Sequence, residues 1–430
     1  MQNYLTLPQG YIENMKKRLP SLEWEAFFAV YEQKAYKGVR LNPLKGDIDK
    51  IKTLLPFLGE QVAWEEYGYY TDEEKVGASV FHHAGLFYSQ EPSAMTTAPL
   101  LQVKAGEKVL DLCSAPGGKG TQLACRMDGK GIIVVNEPVS SRAKILSQNI
   151  ERLGIENAVV TCEMPEKLSK KFTAYFDKIL VDAPCSGEGM FRKYPEEVKE
   201  NWSEENITLC IERGEKILDE ATKMLKVGGL LAYSTCTFAY GEDEGQVLSY
   251  LQKHPEMRLI KQEIYYPHKI KGEGHFVALF EKIDGEEREL KTTQNKISPQ
   301  SKKAFEEFEK AFFKSKKDRV LFEHGETIYA IPKGVFDFRD LSVLRVGVRL
   351  GEMKNGRFEP SHALCMSVKA SDCKKVVETE QAEKFLRGET LEAEIENGWC
   401  LITHKGYPLG LGKAVNGVIK NHLPKGLRKA

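Results

Sequence analysis

From Lys108 onward, apolar runs of strand length alternate with longer amphipathic stretches. KVLDLC (108–113), GIIVVNE (131–137), AVVTC (158–162) and KILVD (178–182) are nearly continuous apolar runs, the pattern of strands buried on both faces. Residues 140–153 open on Ser140 and place Ile145, Leu146, Ile150 and Leu153 at helical spacing. Between 204 and 226 a stripe of Ile207, Cys210, Ile211, Gly214, Ile217, Leu218, Ala221, Met224 and Leu225 predicts a long amphipathic helix, ended by the glycines at 228–229. LLAYST (230–235) is then a strand that delivers Cys236, and HFVALF (275–280) a closing one. Strands alternating with helices predict an α/β fold: a mainly parallel sheet with helices on both faces.

The flanks follow other patterns. Residues 7–19 suggest a short helix and GVRLNP (38–43) a strand leaving through a proline turn, so 1–100 is expected to be an α+β extension. The α/β unit occupies 101–284. Residues 281–320 are rich in Lys and Glu, an exposed helix or connecting segment, and 285–345 is taken as a charged connecting segment or small α+β region. From 346 to 430, many glycines and runs such as LRVGVRLG (344–351) predict a small β-rich module. No internal repeat is visible.

Composition adds little: 41% hydrophobic and 29% charged residues are ordinary for a soluble globular chain, and 430 residues suit two or three domains. Lys plus Arg and Asp plus Glu balance at 62 each, so net charge points to no partner. Its distribution does: from Gly398 to Ala430 there is no carboxylate, while Lys405, Lys413, Lys420, Lys425, Arg428 and Lys429 are basic. No signal peptide opens the chain and no run approaches the ~20 apolar residues of a membrane span. Nine cysteines without a CxxC pair predict a reducing cytoplasm, no disulfides and no metal.

Chemistry concentrates at strand ends. DLCSAPGGKG (111–120) follows one strand and opens a helix, where parallel sheets bind ligands. A phosphate-binding loop would need Gly at 113 and Ser or Thr at 120; Cys113 and Gly120 stand there, and GxGxxG is absent too. A nucleoside lacking a pyrophosphate needs fewer glycines but keeps the acidic residue that grips its ribose, and Glu137 closes the next strand. S-adenosylmethionine suits this pattern, its amino-acid end held at Cys113, Ser114, Ala115, Pro116, Gly117, Gly118 and Lys119 and its ribose at Glu137. A glycine turn used only for packing competes with that reading.

Asp182-Ala-Pro-Cys185 and Ser234-Thr-Cys236 end two further strands that open onto the same crevice. A lone buried cysteine is usually structural; two at neighbouring strand ends are a sharper signal. Beside a methyl donor, a thiolate adding to C6 of cytosine makes C5 nucleophilic, and loss of the C5 proton later expels the thiol. Asp182, with a pKa raised by burial, is expected to donate a hydrogen bond or proton to N3.

These stretches, with FYSQEPSAM (87–95), NEPVSSRA (136–143), DAPCSGEGMFRK (182–193) and YSTCT (233–237), resemble the RNA cytosine-C5 methyltransferases of the Nol1/Nop2/Sun family, and within it the bacterial type acting on 16S ribosomal RNA. The resemblance implies a Rossmann-like methyltransferase domain, Cys236 as nucleophile, Cys185 in product release, and Asp182 in contact with the base and the cofactor's surroundings. Lys119 is implied in the catalytic pocket and Arg142 as orienting Glu137 or the substrate. Two departures stand out: Gly120 replaces a frequent Thr, and Glu163 is what this chain offers for an adenine contact. The C-terminal module resembles a PUA-type RNA-binding domain, with Lys405, Lys413, Lys420, Lys425 and Arg428 toward phosphates, and the 1–100 extension is expected to assist RNA recognition. The expected partner is ribosomal RNA in the decoding region of the small subunit or an assembly intermediate. Alternatives are the same chemistry on transfer RNA, a non-catalytic assembly factor, and methylation of an exocyclic amine, which has no need of Cys236.

Overall fold

The computed structural model describes residues 7–285, 290–293 and 296–429, the side chain of Glu197 excepted. After helix α1 (Gln9–Arg18), β1 (Gly38–Leu41) pairs antiparallel with β2 (Gly68–Tyr70) and β3 (Phe87–Ser89) in a three-stranded sheet. The main sheet carries β4 (Lys108–Asp111), β5 (Ile132–Asn136), β6 (Ala158–Thr161), β7 (Phe176–Asp182), β8 (Leu225–Thr235), β9 (Met257–Tyr265) and β10 (His275–Lys282). Its order is β6-β5-β4-β7-β8-β10-β9; the first five are parallel, and β10 and β9 antiparallel.

Helices cover both faces. α2 (Gly118–Arg126) and α3 (Ser140–Leu153) bury Leu123, Leu146 and Ile150 on one; α4 (Pro165–Phe172) and α5 (Glu204–Met224) bury Leu168, Phe172, Ile217 and Leu218 on the other. Strand order reverses at β4, so a crevice opens beyond the carboxyl ends of β4 and β7. That crevice is where the motif residues arrive.

Two expectations are corrected. α5 ends at Met224, and Gly228–Gly229 lie inside β8, where the β7–β8 register shifts and Gly228 takes φ 75°. Lys282 from β10 donates to the carbonyls of Thr222 and Leu225, capping the helix before the glycines are reached. The Lys/Glu-rich segment is not simply exposed: α6 (Pro299–Phe312) buries Phe305, Phe308 and Phe312 against β11 (Val320–His324), β12 (Thr327–Ile331) and the strands after it. Finally, β13 (Val343–Val346) joins the main sheet antiparallel to β6, then turns at Gly347 (φ 56°) into β14 (Val348–Lys354), which pairs with β12 and β15 (Arg357–Pro360). The boundary expected at 345/346 lies within β13.

The C-terminal sheet orders β16 (Val376–Glu378), β18 (Gly398–His404), β19 (Tyr407–Val415), β20 (Val418–Asn421) and β17 (Leu391–Glu392). It shares a core with the N-terminal sheet: Val39, Leu41 and Phe87 pack with Phe385, Ile402, Leu409 and Leu423. Among the described residues no helix is long and apolar enough to cross a membrane.

Candidate active site

The turn between β4 and α2 is built from its own polar groups. Asp111 is fully buried and accepts from Ser114 Oγ at 2.7 Å, while the Ser114 N–H donates to the Asn136 carbonyl at 2.8 Å. Asn136 ties three strand ends together through Leu112 O, Thr161 Oγ1 and the backbone of Glu163. Gly117 takes φ 112° as the residue before α2, and Gly120 has no room for a side chain: a Cβ there would lie 2.5 Å from Ser114 Oγ and 2.8 Å from Asp111 Oδ2. The departure at Gly120 is thus matched to the Ser114–Asp111 pair.

Glu137, buried one residue beyond β5, accepts the Val139 N–H at 2.9 Å and meets Arg142 at 3.3 Å; Arg142 also donates to the Ala115 carbonyl at 3.0 Å. Asp111, Asp182 and Glu137 converge electrostatically on Cys113, whose thiol is pushed up by burial first and by these three carboxylates next. This end of the crevice is acidic. Burial also lifts the Asp111 carboxyl to about 7, with Ser114 and Lys119 opposing. Glu163 is turned another way: its Oε1 takes Lys167 Nζ and the Ser342 N–H, both at 2.6 Å, bracing the segment that leads into β13.

Lys119 joins the two halves of the crevice. Its ammonium lies 2.8 Å from Asp182 Oδ2, while Asp182 Oδ1 accepts from Ser234 Oγ at 2.8 Å and faces His275 Nε2 at 3.9 Å. Burial pushes Asp182 up, but the Lys119 cation, helped by the Ser234 hydroxyl, outweighs it and holds the carboxyl below its ordinary range. The shift runs opposite to the rise expected from burial alone, because a cation from a neighbouring helix meets the carboxyl.

Cys185 and Cys236 converge from β7 and β8 with their sulfurs 3.3 Å apart, both as free thiols. The Cys236 N–H also donates to Cys185 Sγ at 3.4 Å. Hydrogen bonding to Cys236 and then burial push the Cys185 thiol well up, and either sulfur of the pair can donate to the other. Sequence reasoning missed the carboxylates that set this geometry. Glu242 accepts the Ser186 N–H at 2.9 Å and its hydroxyl at 2.5 Å; burial lifts its carboxyl to about 7. Glu188 takes Trp202 Nε1 and the Phe238 N–H, and the Gly189 N–H donates to the Cys236 carbonyl at 2.8 Å. Glu188 sits within SGEG and Glu242 in GEDEG, where acidic residues read as solvated turns.

The N-terminal extension contributes support. Arg40 from β1 is buried and donates to Gln90, Gly118 O and Thr121, fixing the start of α2 from outside the sheet. Arg192, beyond the Cys185 turn, forms a buried two-pronged pair with Glu273 at 2.8 Å, and the Glu273 N–H donates to Glu91.

Models of known families match along the whole chain: the N-terminal domain of 16S rRNA methyltransferase RsmF at 7–92, 16S rRNA methyltransferase RsmB/F at 98–303, the RsmF first C-terminal domain at 307–368 and the RsmF PUA domain at 376–429. Ribosomal RNA small subunit methyltransferase F of Vibrio vulnificus is 31% identical across 99% of this chain and 98% of its own. The chain belongs to the RsmF family of 16S rRNA methyltransferases. That of Aliivibrio fischeri is equally similar, 31% over 99% of the chain and 98% of its own. Among solved structures, the crystal structure of PH0851 covers 64% of the chain and 66% of its own at TM-score 0.60 and 28% identity. NSun6 from Pyrococcus horikoshii with SFG covers 65% of this chain and 99% of its own at TM-score 0.59 and 22% identity, a likeness of fold.

In this RsmF-family chain the basic residues of the PUA domain are dispersed. Lys405 pairs with Glu380 at the β18–β19 turn, whereas Lys413 and Lys420 face each other across β19 and β20 near the opposite end, Lys413 over the Trp399 ring. Lys425 begins a short helical turn, and Arg428 donates back to the Leu423 carbonyl. Among the described residues no His, Cys, Asp and Glu group is placed to hold a metal ion.

Proposed function

We propose that this chain transfers a methyl group from S-adenosylmethionine to C5 of a cytosine in 16S ribosomal RNA, through a transient bond between Cys236 Sγ and C6 of the base. One observation carries the reading: two free thiols in contact at adjacent strand ends, beside a Lys119–Asp182 pair that reaches back to the glycine turn. A methyltransferase working on an exocyclic amine has no use for that arrangement.

The turn suits a cationic donor. Asp111, Asp182 and Glu137 surround Cys113, with Lys119 and Arg142 countering two of them, a setting that suits a sulfonium better than a pyrophosphate. When bound, S-adenosylmethionine supplies an electrophilic methyl. Residues 113–119 hold its amino-acid end, and Glu137, fixed by Arg142, its ribose; Glu163 is left to bracing.

Cys236 Sγ adds to C6, which places electron density on C5 and the ring. Asp182, held ionised by Lys119, accepts the exocyclic amine of the cytosine. C5 takes the methyl and the donor leaves as a neutral thioether; water or a neighbouring base takes the C5 proton, and that electron pair re-forms the C5–C6 double bond as Cys236 Sγ departs as a thiolate, 3.3 Å from Cys185 Sγ. The target base leaves its stack at a cost of a few kcal/mol, offset by RNA contacts from the N-terminal extension and the PUA domain, among them Lys413, Lys420 and Lys425. The substrate is the decoding region of the small subunit or an assembly intermediate, and the work is cytoplasmic, where these thiols stay reduced.

The test is incubation with S-adenosylmethionine and, separately, small subunits, naked 16S RNA and transfer RNA, followed by nucleoside mass spectrometry. The expected product is 5-methylcytidine from 16S RNA, absent with Cys236→Ala although S-adenosylmethionine still binds. A different methylated nucleoside, or an active Cys236→Ala, overturns it.

A further inference from the structure

His275 opens β10 against β8, where Phe276 faces Thr235 and the next position along is that of Cys236. Its side chain is 2% exposed, yet no side chain partners either ring nitrogen, and the Gly274 backbone is the one hydrogen-bonding neighbour that pulls its pKa up. A buried polar group left without a partner costs about 1–3 kcal/mol, and such exceptions call for an explanation. Nothing about the imidazole is loose. Gly274 beside it takes φ 113°, and a Cβ there would strike Phe238 at 2.3 Å. Its N–H donates to Ser93 Oγ at 3.2 Å, and Glu273 is locked by Arg192. The ring is held by the scaffold in front of Asp182 Oδ1, at 3.9 Å.

The charge states at this spot are complementary. Lys119, Ser234 and His275 face Asp182, with Asp111 behind, and the carboxylate is an acceptor only. Burial, then the Lys119 cation, drive His275 down to about 3, against the pull of Asp182. A neutral imidazole carries one N–H donor and one acceptor. An acceptor and a donor therefore stand side by side across 3.9 Å. The Watson–Crick edge of cytosine offers the matching pair, an amine donor at N4 beside an acceptor at N3; uracil inverts both. Lys119 already spends a donor on Asp182 Oδ2, whereas His275 spends none on a side chain.

We propose that His275 is a specificity-determining residue: its N–H donates to N3 of the target cytosine while Asp182 accepts from N4, so that the pair reads cytosine against uracil and stabilises the ring as Cys236 adds to C6. This inference rests on the cytosine-C5 reading above. It gives the N3 donor that an ionised Asp182 does not supply, and neutral imidazole donors are known to polarise reacting groups in this way.

The experiment measures methyl transfer to 16S RNA carrying cytosine or uracil at the mapped target, for wild type, His275→Phe and His275→Gln, together with S-adenosylmethionine binding. Wild-type 5-methylcytidine formation checks the parent reading independently. Expected for His275→Phe is an unchanged donor affinity, kcat/KM on the cytosine RNA lowered about tenfold to a hundredfold, and a reduced cytosine-over-uracil ratio; Gln, which keeps an N–H donor, restores most of both. His275→Phe with the wild-type rate and ratio overturns the inference, as does His275→Gln failing equally with donor binding lost. If wild type yields no 5-methylcytidine, it is the parent reading that fails.

Discussion

At the scale of single residues, protonation states carry the account. Lys119 holds the Asp182 carboxyl below its ordinary range, and the contact with Cys236 together with burial pushes the Cys185 thiol up. Glu242 is the counter-case: burial raises its carboxyl from 4.5 to about 7. A carboxyl whose folded pKa lies above its unfolded one contributes stability that is complete below pH 4.5 and lost as pH rises through 7. Asp111, raised from 3.8 to about 7, acts in the same direction. Melting curves of wild type and Glu242→Gln between pH 5 and 8 are expected to diverge: the wild type loses about 1–2 kcal/mol more across the interval. Parallel curves would contradict the buried-carboxyl assignment. Cys236, Cys185 and Asp182 were legible in the sequence because each ends an apolar run. The charge of Asp182 was not, since the deciding cation comes from α2. His275 was hidden as one polar residue opening an apolar strand.

At the scale of elements, the β4–α2 turn shows how local sequence and tertiary contact share the work. The apolar run and glycines announce a strand, a turn and a helix; the buried Ser114–Asp111 pair explains why position 120 has no side chain. Gly120→Ala is expected to force its Cβ into that pair, destabilising the protein by about 1–3 kcal/mol and weakening S-adenosylmethionine binding in a titration. Unchanged stability and binding would refute the tight fit. The end of α5 was misjudged because its stop is Lys282, a cap from a distant strand. β13 is legible as a strand but not as an edge of the main sheet, since no local pattern encodes a partner that far back in the chain.

The whole molecule is more entangled than its linear order suggests. The PUA domain reads as a basic appendage, yet Lys405 and Lys429 pair with Glu380 and Glu383, and its core is continuous with the N-terminal sheet. His83 from the N-terminal part meets the Leu409 carbonyl, and Lys429 donates to Ala78 O. Truncation before Val376 is therefore expected to expose Val39, Leu41 and Phe87, lower the melting temperature and increase binding of a hydrophobic dye. A truncated chain melting like the full protein would show that the PUA domain is an independent attachment. The Phe305–Phe308–Phe312 stripe explains why composition misled: three rings decide how α6 packs, while the surrounding lysines and glutamates dominate any average.

The central claim, a bond between Cys236 and the pyrimidine, has one direct measurement. Cys185→Ala is incubated with S-adenosylmethionine and target RNA, resolved on a denaturing gel, and the retained nucleotide is mapped by peptide mass spectrometry. The account predicts a protein–RNA adduct attached at Cys236 and carrying a methylated cytosine. Methylated product released with no adduct contradicts it, as does attachment at another residue.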